Sequence, residues 1–185
     1  MTDTIRIQPL TAEAFAPFGD VLDCAGDPTK LINNGMCGRY HDRAKLDFSD
    51  GRAGISLFKA KLRALPMRLE LVERHPEGSQ AFLPLDSAPF VVVVAPDENG
   101  KPGRPLAFIT SPGQGVNYHR GVWHGVLAPV SGNGLFAVVD RIGEEFVADQ
   151  FLLELGERFG SVTEDHVIDT LKRIAQRSRL VQHDV

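Results

Sequence analysis

The run Phe90-Val-Val-Val-Val-Ala95 is apolar at every position, with Pro89 before it and Pro96 and the turn-rich stretch Asp97-Glu-Asn-Gly-Lys-Pro-Gly103 after it. A strand turns successive side chains to opposite faces, so this run is built to be buried on both. It is far too short to cross a bilayer. It therefore predicts a central strand of a sandwich or barrel.

Shorter segments repeat the pattern. Ile5-Arg-Ile-Gln8, Val21-Leu-Asp23, Gly54 to Ala60, Leu69 to His75, Gln80 to Leu85, Leu106 to Thr110 and Gly134 to Asp140 read as strands punctuated by Gly and Pro turns. Within Gln80 to Leu85, alternation sets Gln80, Phe82 and Pro84 on one face and Ala81, Leu83 and Leu85 on the other. Thr11 is positioned to cap one brief helix through Phe15, which Pro17 and Gly19 close. With little other helix before residue 160, the expected fold is an all-β sandwich or barrel. From Thr163 to Leu180, Val167, Leu171, Ile174 and Ala175 fall at helical spacing between charges. This predicts an amphipathic C-terminal helix that covers an open face of the barrel or reaches a partner subunit. The expected division is a barrel domain over residues 1–160 and a helical extension over 161–185.

Charge and cysteine content narrow the setting. A net charge of −4 and a pI near 5.8 argue against a broad nucleic-acid-binding surface, which would need a Lys/Arg-rich face. Met1-Thr-Asp-Thr-Ile-Arg6 has no basic region followed by an apolar core, so the expected location is the cytoplasm, away from membranes. Cys24 and Cys37 form no CxxC, and their spacing favours reduced or partly buried thiols over a disulfide.

Chemistry concentrates in Gly113-Gln-Gly-Val-Asn-Tyr-His-Arg-Gly-Val-Trp-His124, which gathers two histidines, Asn117, Tyr118, Arg120 and the only tryptophan into a predicted strand, turn and strand. His75, His119 and His124 each sit in a polar turn flanked by strands. Imidazoles converging from neighbouring strands serve as a metal site or as a general acid–base pair. Arg39, which follows Asn33-Asn-Gly35 and precedes Tyr40, is the leading anion binder among Asn33, Asn34, Arg39, Arg74, Arg120 and Arg141, with Lys59 as a further candidate. Asp140-Arg141 reads equally as an ion pair and as part of a site, while Trp123 and Phe82 read as core more than as a substrate platform.

The spacing Gly113-x5-His119-x-Gly121-x2-His124 resembles the second motif of the cupin barrels, G-x5-P-x-G-x2-H-x3-N, with His119 in the proline position and Ala128 in that of asparagine. Glu73-x-His75-x4-Gln80 resembles the first, H-x-H-x3,4-E, with Glu73 for the first histidine and Gln80 for the glutamate. Glu73, His75 and His124 are thus the candidate ligands of a divalent ion such as Ni, Mn or Zn, with Gln80 nearby as a weaker donor.

A wider set of segments resembles the ureidoglycolate lyases: Ala14 to Val21, Ile32 to Gly35, Arg39 to Asp42, Glu73 to Pro84, Phe90 to Ala95, Gly113 to His124 and Asp140-Arg141, in the family's order and spacing. The resemblance implies a cupin-type β-barrel, a homodimer, and release of urea from (S)-ureidoglycolate to leave glyoxylate in purine and allantoin breakdown. For that reaction the expected base toward the hydroxyl is His119 or His124, with the other or His75 supplying a proton to urea. Arg39 or Lys59, with Asn34 and Asn117, would hold the carboxylate and ureido groups, and Tyr118 and Gln80 would orient partners. Two other readings fit the same residues: another metal-dependent cupin enzyme acting on a small hydroxy-carboxylate, and a non-catalytic ligand-binding cupin module.

Overall fold

The computed structural model describes residues 4–143, together with the backbone of Asp149–Leu152 and Ser161–Thr163. The chain opens with β1 (Ile5–Pro9), a single helical turn α1 (Ala12–Phe15) and β2 (Gly19–Leu22). The Thr11 hydroxyl accepts the Ala14 N–H at 3.2 Å and so caps that turn. A hairpin of β3 (Lys30–Ile32) and β4 (Cys37–Arg39) precedes the long β5 (Arg52–Lys59). Then come β6 (Met67–Arg68), β7 (Leu71–Arg74), β8 (Gln80–Pro84) and the central β9 (Phe90–Ala95). A short hairpin of β10 (Asp97–Glu98) and β11 (Lys101–Pro102) leads to β12 (Leu106–Ile109), β13 (Gly115–Tyr118), β14 (Trp123–Gly125) and β15 (Ala128–Pro129). The described strands end with β16 (Leu135–Ile142), β17 (Asp149–Leu152) and β18 (Ser161–Thr163).

Two sheets make the barrel. The larger is mixed and runs β17-β7-β14-β9-β12-β1-β18-β6, with β15 also on β9; β1 is parallel to both β12 and β18. The smaller is antiparallel and runs β2-β13-β8-β16-β5. This is a cupin-type β-barrel: the strand pattern predicts the all-β barrel, and the motif resemblance implies its cupin type.

The core follows from the alternation of β9. Phe90, Val92 and Val94 face the smaller sheet and pack with Phe82, Val116, Tyr118, Phe136 and Val138, while Phe15, Phe18 and Phe108 complete the interior. Val91, Val93 and Ala95 face the other way and pack with Ile5, Ile7, Ala107, Ile109 and Trp123. Each such Val or Phe removed from water contributes roughly 1.5–3 kcal/mol, which is why this strand anchors both layers. Phe15 meets Phe108 edge to face at 6.0 Å, and Phe90 meets Phe136 at 5.1 Å. Gly19 opens β2 opposite Tyr118 of the neighbouring β13, and a Cβ there would collide with the Asn117 carbonyl.

The structure adds local detail. The stretch 30–40 is the β3–β4 hairpin, whose turn sets Asn33 and Asn34 at φ 54° and 56°. The loop 97–103 holds the β10–β11 hairpin. The cysteines are free, as their spacing predicts, and both are exposed. The helix expected from Thr163 to Leu180 lies outside the described residues, and Ser161–Thr163 is a strand of the larger sheet.

Candidate active site

Glu73 and His75 are two residues apart at the end of β7, so they share a face of the larger sheet. Antiparallel to it, β14 sets His124 directly across from Glu73. One ligating atom of each of the three lies within 4.8 Å of the others. The rings of His75 and His124 are 5.3 Å apart at 30°.

The smaller sheet supplies the opposing wall. Tyr118, at the inner end of β13, lies flat on His124 at a centroid separation of 4.3 Å. The segment joining them, residues 119–122, crosses from one sheet to the other. Gly121 takes a positive φ of 77° in this crossing and donates its N–H to the His75 carbonyl at 2.9 Å. Gln80, on β8, is buried and adds its amide. Behind it stands Asp140 of β16, reached by the Gln80 side chain and within electrostatic range of His75.

These groups suit a metal ion. His124 is 1% exposed. Its Nδ1 faces only the Gly125 carbonyl, at 3.1 Å, so Nδ1 carries the proton and donates it, leaving Nε2 with a free lone pair. That Nε2 is buried with no hydrogen-bond partner, and so is Gln80 Oε1. Burial, and next the charge of His75, hold the His124 imidazole down at about 3, so the ring is neutral, the form that ligates. Burial also pushes the Tyr118 hydroxyl well above its usual range, with Glu73 adding to the effect, so Tyr118 stays a neutral donor. Asp140 is raised by burial, partly offset by Gln80 and His75.

The cluster opens into a cavity of about 370 Å³. Glu73, Gln80 and His124 form its polar part, and Phe58, Phe82 and Leu127 its apolar part, with Lys61 and Arg63 at the rim. Such a chamber holds a small polar molecule against a cation site.

A family model described as ureidoglycolate lyase matches residues 2–155. The chain is 64% identical over 142 residues to the ureidoglycolate lyase of Rhodobacter capsulatus, covering 76% of this chain and 88% of that one. It is 51% identical over 149 residues to that of a Chelativorans species, covering 80% and 90%, and 51% identical over 141 residues to ureidoglycolate lyase 2 of Rhizobium meliloti, covering 75% and 86%. The chain belongs to the ureidoglycolate lyase family.

Of the segments that carry the likeness to ureidoglycolate lyases, Glu73 to Pro84 and Gly113 to His124 meet at the cavity, bringing Glu73, His75, Gln80, Tyr118 and His124 together. Five other residues expected at the site lie elsewhere. Alternation along β13 turns Asn117 away from Tyr118 to the outer face, where its amide donates to Asp20 at 2.9 Å and to the Lys45 carbonyl at 3.1 Å. His119 is likewise outside, with Nε2 3.3 Å from Asp20. Lys59 alternates with Phe58, so its ammonium faces outward and donates to the Asn133 carbonyl. Asn34 sits in the exposed β3–β4 turn, and Arg39 on the same hairpin contacts the His41 ring at 2.9 Å. Arg141 pairs with Asp50 and Glu77, not with Asp140.

Sequence reasoning missed Lys61 and Arg63. Period-two alternation ends with β5, and nothing local reveals that the next residues turn across the barrel. It left Asp140-Arg141 between two readings; in the structure Arg141 pairs with Asp50 and Glu77, and Asp140 lies with Gln80 instead.

Proposed function

We propose that this member of the ureidoglycolate lyase family breaks (S)-ureidoglycolate into urea and glyoxylate at the cavity of Glu73, His75, Gln80, Tyr118 and His124. The observation that carries the reading is the convergence of Glu73, His75 and His124 within 4.8 Å at the wall of a chamber sized for a small hydroxy acid. The substrate bears a hydroxyl and a urea nitrogen on one carbon. Loss of the hydroxyl proton lets its electron pair form the aldehyde C=O while the C–N bond breaks, and the departing nitrogen takes a proton to leave as urea.

Glu73, His75 and His124 would hold a divalent cation such as Ni, Mn or Zn, with Gln80 Oε1 at its side. Bound there, such an ion supplies Lewis acidity that makes the hydroxyl proton easier to remove. His124 contributes Nε2 as a neutral donor atom. Tyr118 fixes the plane of that ring and keeps its own hydroxyl proton. Proton exchange with the hydroxyl and the urea nitrogen falls to Asp140, the carboxyl on the opposing wall beside Gln80, which burial raises above its usual range. Phe58, Phe82 and Leu127 keep bulk water from the reacting carbon.

A divalent-ion enzyme is favoured over a pure imidazole acid–base pair by one arrangement: His119, the second imidazole of the motif, sits with Asp20 on the outer face. The pathway assigned is purine and allantoin breakdown, in a cytoplasmic homodimer. Free, exposed Cys24 and Cys37 suit a reducing compartment, and among the described residues no helix is long and apolar enough to cross a membrane. The test is to incubate the purified protein with ureidoglycolate and follow urea and glyoxylate together. Equal amounts of both support the lyase reading, ammonia in place of urea overturns it in favour of hydrolysis, and no turnover overturns it outright.

A further inference from the structure

The segment between β5 and β6 carries the chain from the smaller sheet to the larger, because β5 pairs with β16 of the former and β6 with β18 of the latter. Residues 60–66 therefore span the mouth of the barrel as a strap. It is held by backbone bonds at two points: the Ala60 N–H donates to the Gly134 carbonyl and the Arg63 N–H to the Pro129 carbonyl, each at 2.8 Å. Lys61 and Arg63 on this strap line the same cavity as Glu73, Gln80 and His124.

The charges of these two side chains are uncommitted. Arg43, Arg74, Arg120 and Arg141 each pair with an aspartate or glutamate, and Lys59 is engaged by Asn133. Lys61 and Arg63 have no acidic partner among the described residues, and Glu73, the carboxylate that shares their cavity, belongs to the ligand cluster. Two cations anchored beside a chamber whose remaining lining is largely apolar form a receptor for an anion, and a guanidinium suits a carboxylate through paired N–H donors.

We propose that Lys61 and Arg63 recognise the substrate carboxylate and make the enzyme select α-hydroxy acids over their neutral counterparts. The inference rests on the lyase reading above and replaces Arg39 and Lys59 as the carboxylate holders. With the carboxylate drawn to the rim, the hydroxyl and ureido groups are left to face Glu73, His75 and His124. Both cations act by binding and orienting, and the chemistry stays with the cluster.

The test compares ureidoglycolate with its primary amide, which keeps the hydroxyl and ureido groups and lacks the negative charge. Steady-state kinetics are measured for the wild type, Lys61→Ala, Arg63→Ala, the double variant and Arg63→Lys, with thermal melting to establish that each is folded. Each alanine variant should raise KM for the acid roughly tenfold, the scale of one charge-assisted hydrogen bond, with a smaller change in kcat. Turnover of the amide should fall far less, so the wild-type preference for the acid collapses in the double variant, and Arg63→Lys should recover part of it. An unchanged KM for the acid, or a preference for acid over amide that survives in the double variant, overturns the inference while the lyase reading stands. A wild type that turns over neither compound removes the lyase reading and this inference with it.

Discussion

Tyr118 and His124 stack with their ring planes 4° from parallel and their centroids 4.3 Å apart, although one belongs to β13 of the smaller sheet and the other to β14 of the larger. The stack ties the two walls of the cavity together at the ring that offers Nε2. If it sets that ring's orientation, Tyr118→Phe should keep metal affinity nearly intact. Tyr118→Leu should lower it about 10–100-fold, as loss of ligand support does elsewhere. Calorimetric titration of the metal-free variants with Mn²⁺, Ni²⁺ or Zn²⁺ measures this. Equal affinities for the two variants would remove the orienting role.

Exhaustive chelation should abolish turnover by at least ~10²-fold, and one of Ni²⁺, Mn²⁺ or Zn²⁺ should restore it. His124→Ala should do the same without restoration, because the cluster loses the donor opposite Glu73. Elemental analysis alongside the rate decides the matter: full activity with no metal present would return the histidines to acid–base duty.

His119→Ala should change kcat by no more than about threefold, set against the ~10²–10⁴-fold expected for a positioned acid or base. Its ring is more than a third exposed and pairs with Asp20, a surface contact worth at most about 1 kcal/mol. A deep loss of kcat with unchanged melting would bring His119 back to the reaction.

Stability of the metal-free protein should depend on pH through His124. Its imidazole is held at about 3 when folded, against 6.5 ordinarily. Above pH 6.5 the ring is neutral in both states and its contribution is intact. As pH falls from 6.5 toward 3, the unfolded ring takes a proton that the buried ring refuses, and stability drops by at most about 1.4 kcal/mol per unit. Melting curves from pH 7 to 4 should fall more gently in His124→Gln than in the wild type, and parallel curves would contradict the assignment.

Gly19→Ala should destabilise the fold by about 1–3 kcal/mol, since the added methyl meets the Asn117 backbone where β2 pairs with β13. Urea denaturation would register this as a lower midpoint at unchanged slope.

What the sequence by itself determined was local and periodic. Phe90 to Ala95, apolar on both faces, announced the central strand, Thr11 announced the cap of α1, and the spacings around Glu73 to Gln80 and Gly113 to His124 pointed to a cupin-type site. Those signals survive because alternation and capping depend on neighbours in the chain. Which residues meet was decided by the tertiary structure. His119 and Asn117 share a motif with Tyr118 and His124, yet the pleat turns them to the outer face, and the crossing at residues 119–122 sends the two halves of the motif to different sheets. Lys61 and Arg63 reach the cavity only because residues 60–66 pass from one sheet to the other, a path fixed by pairings with β16 and β18 that lie far away in the chain. Periodicity says which way a side chain points from its own strand, and only the packing of the sheets says what it points at.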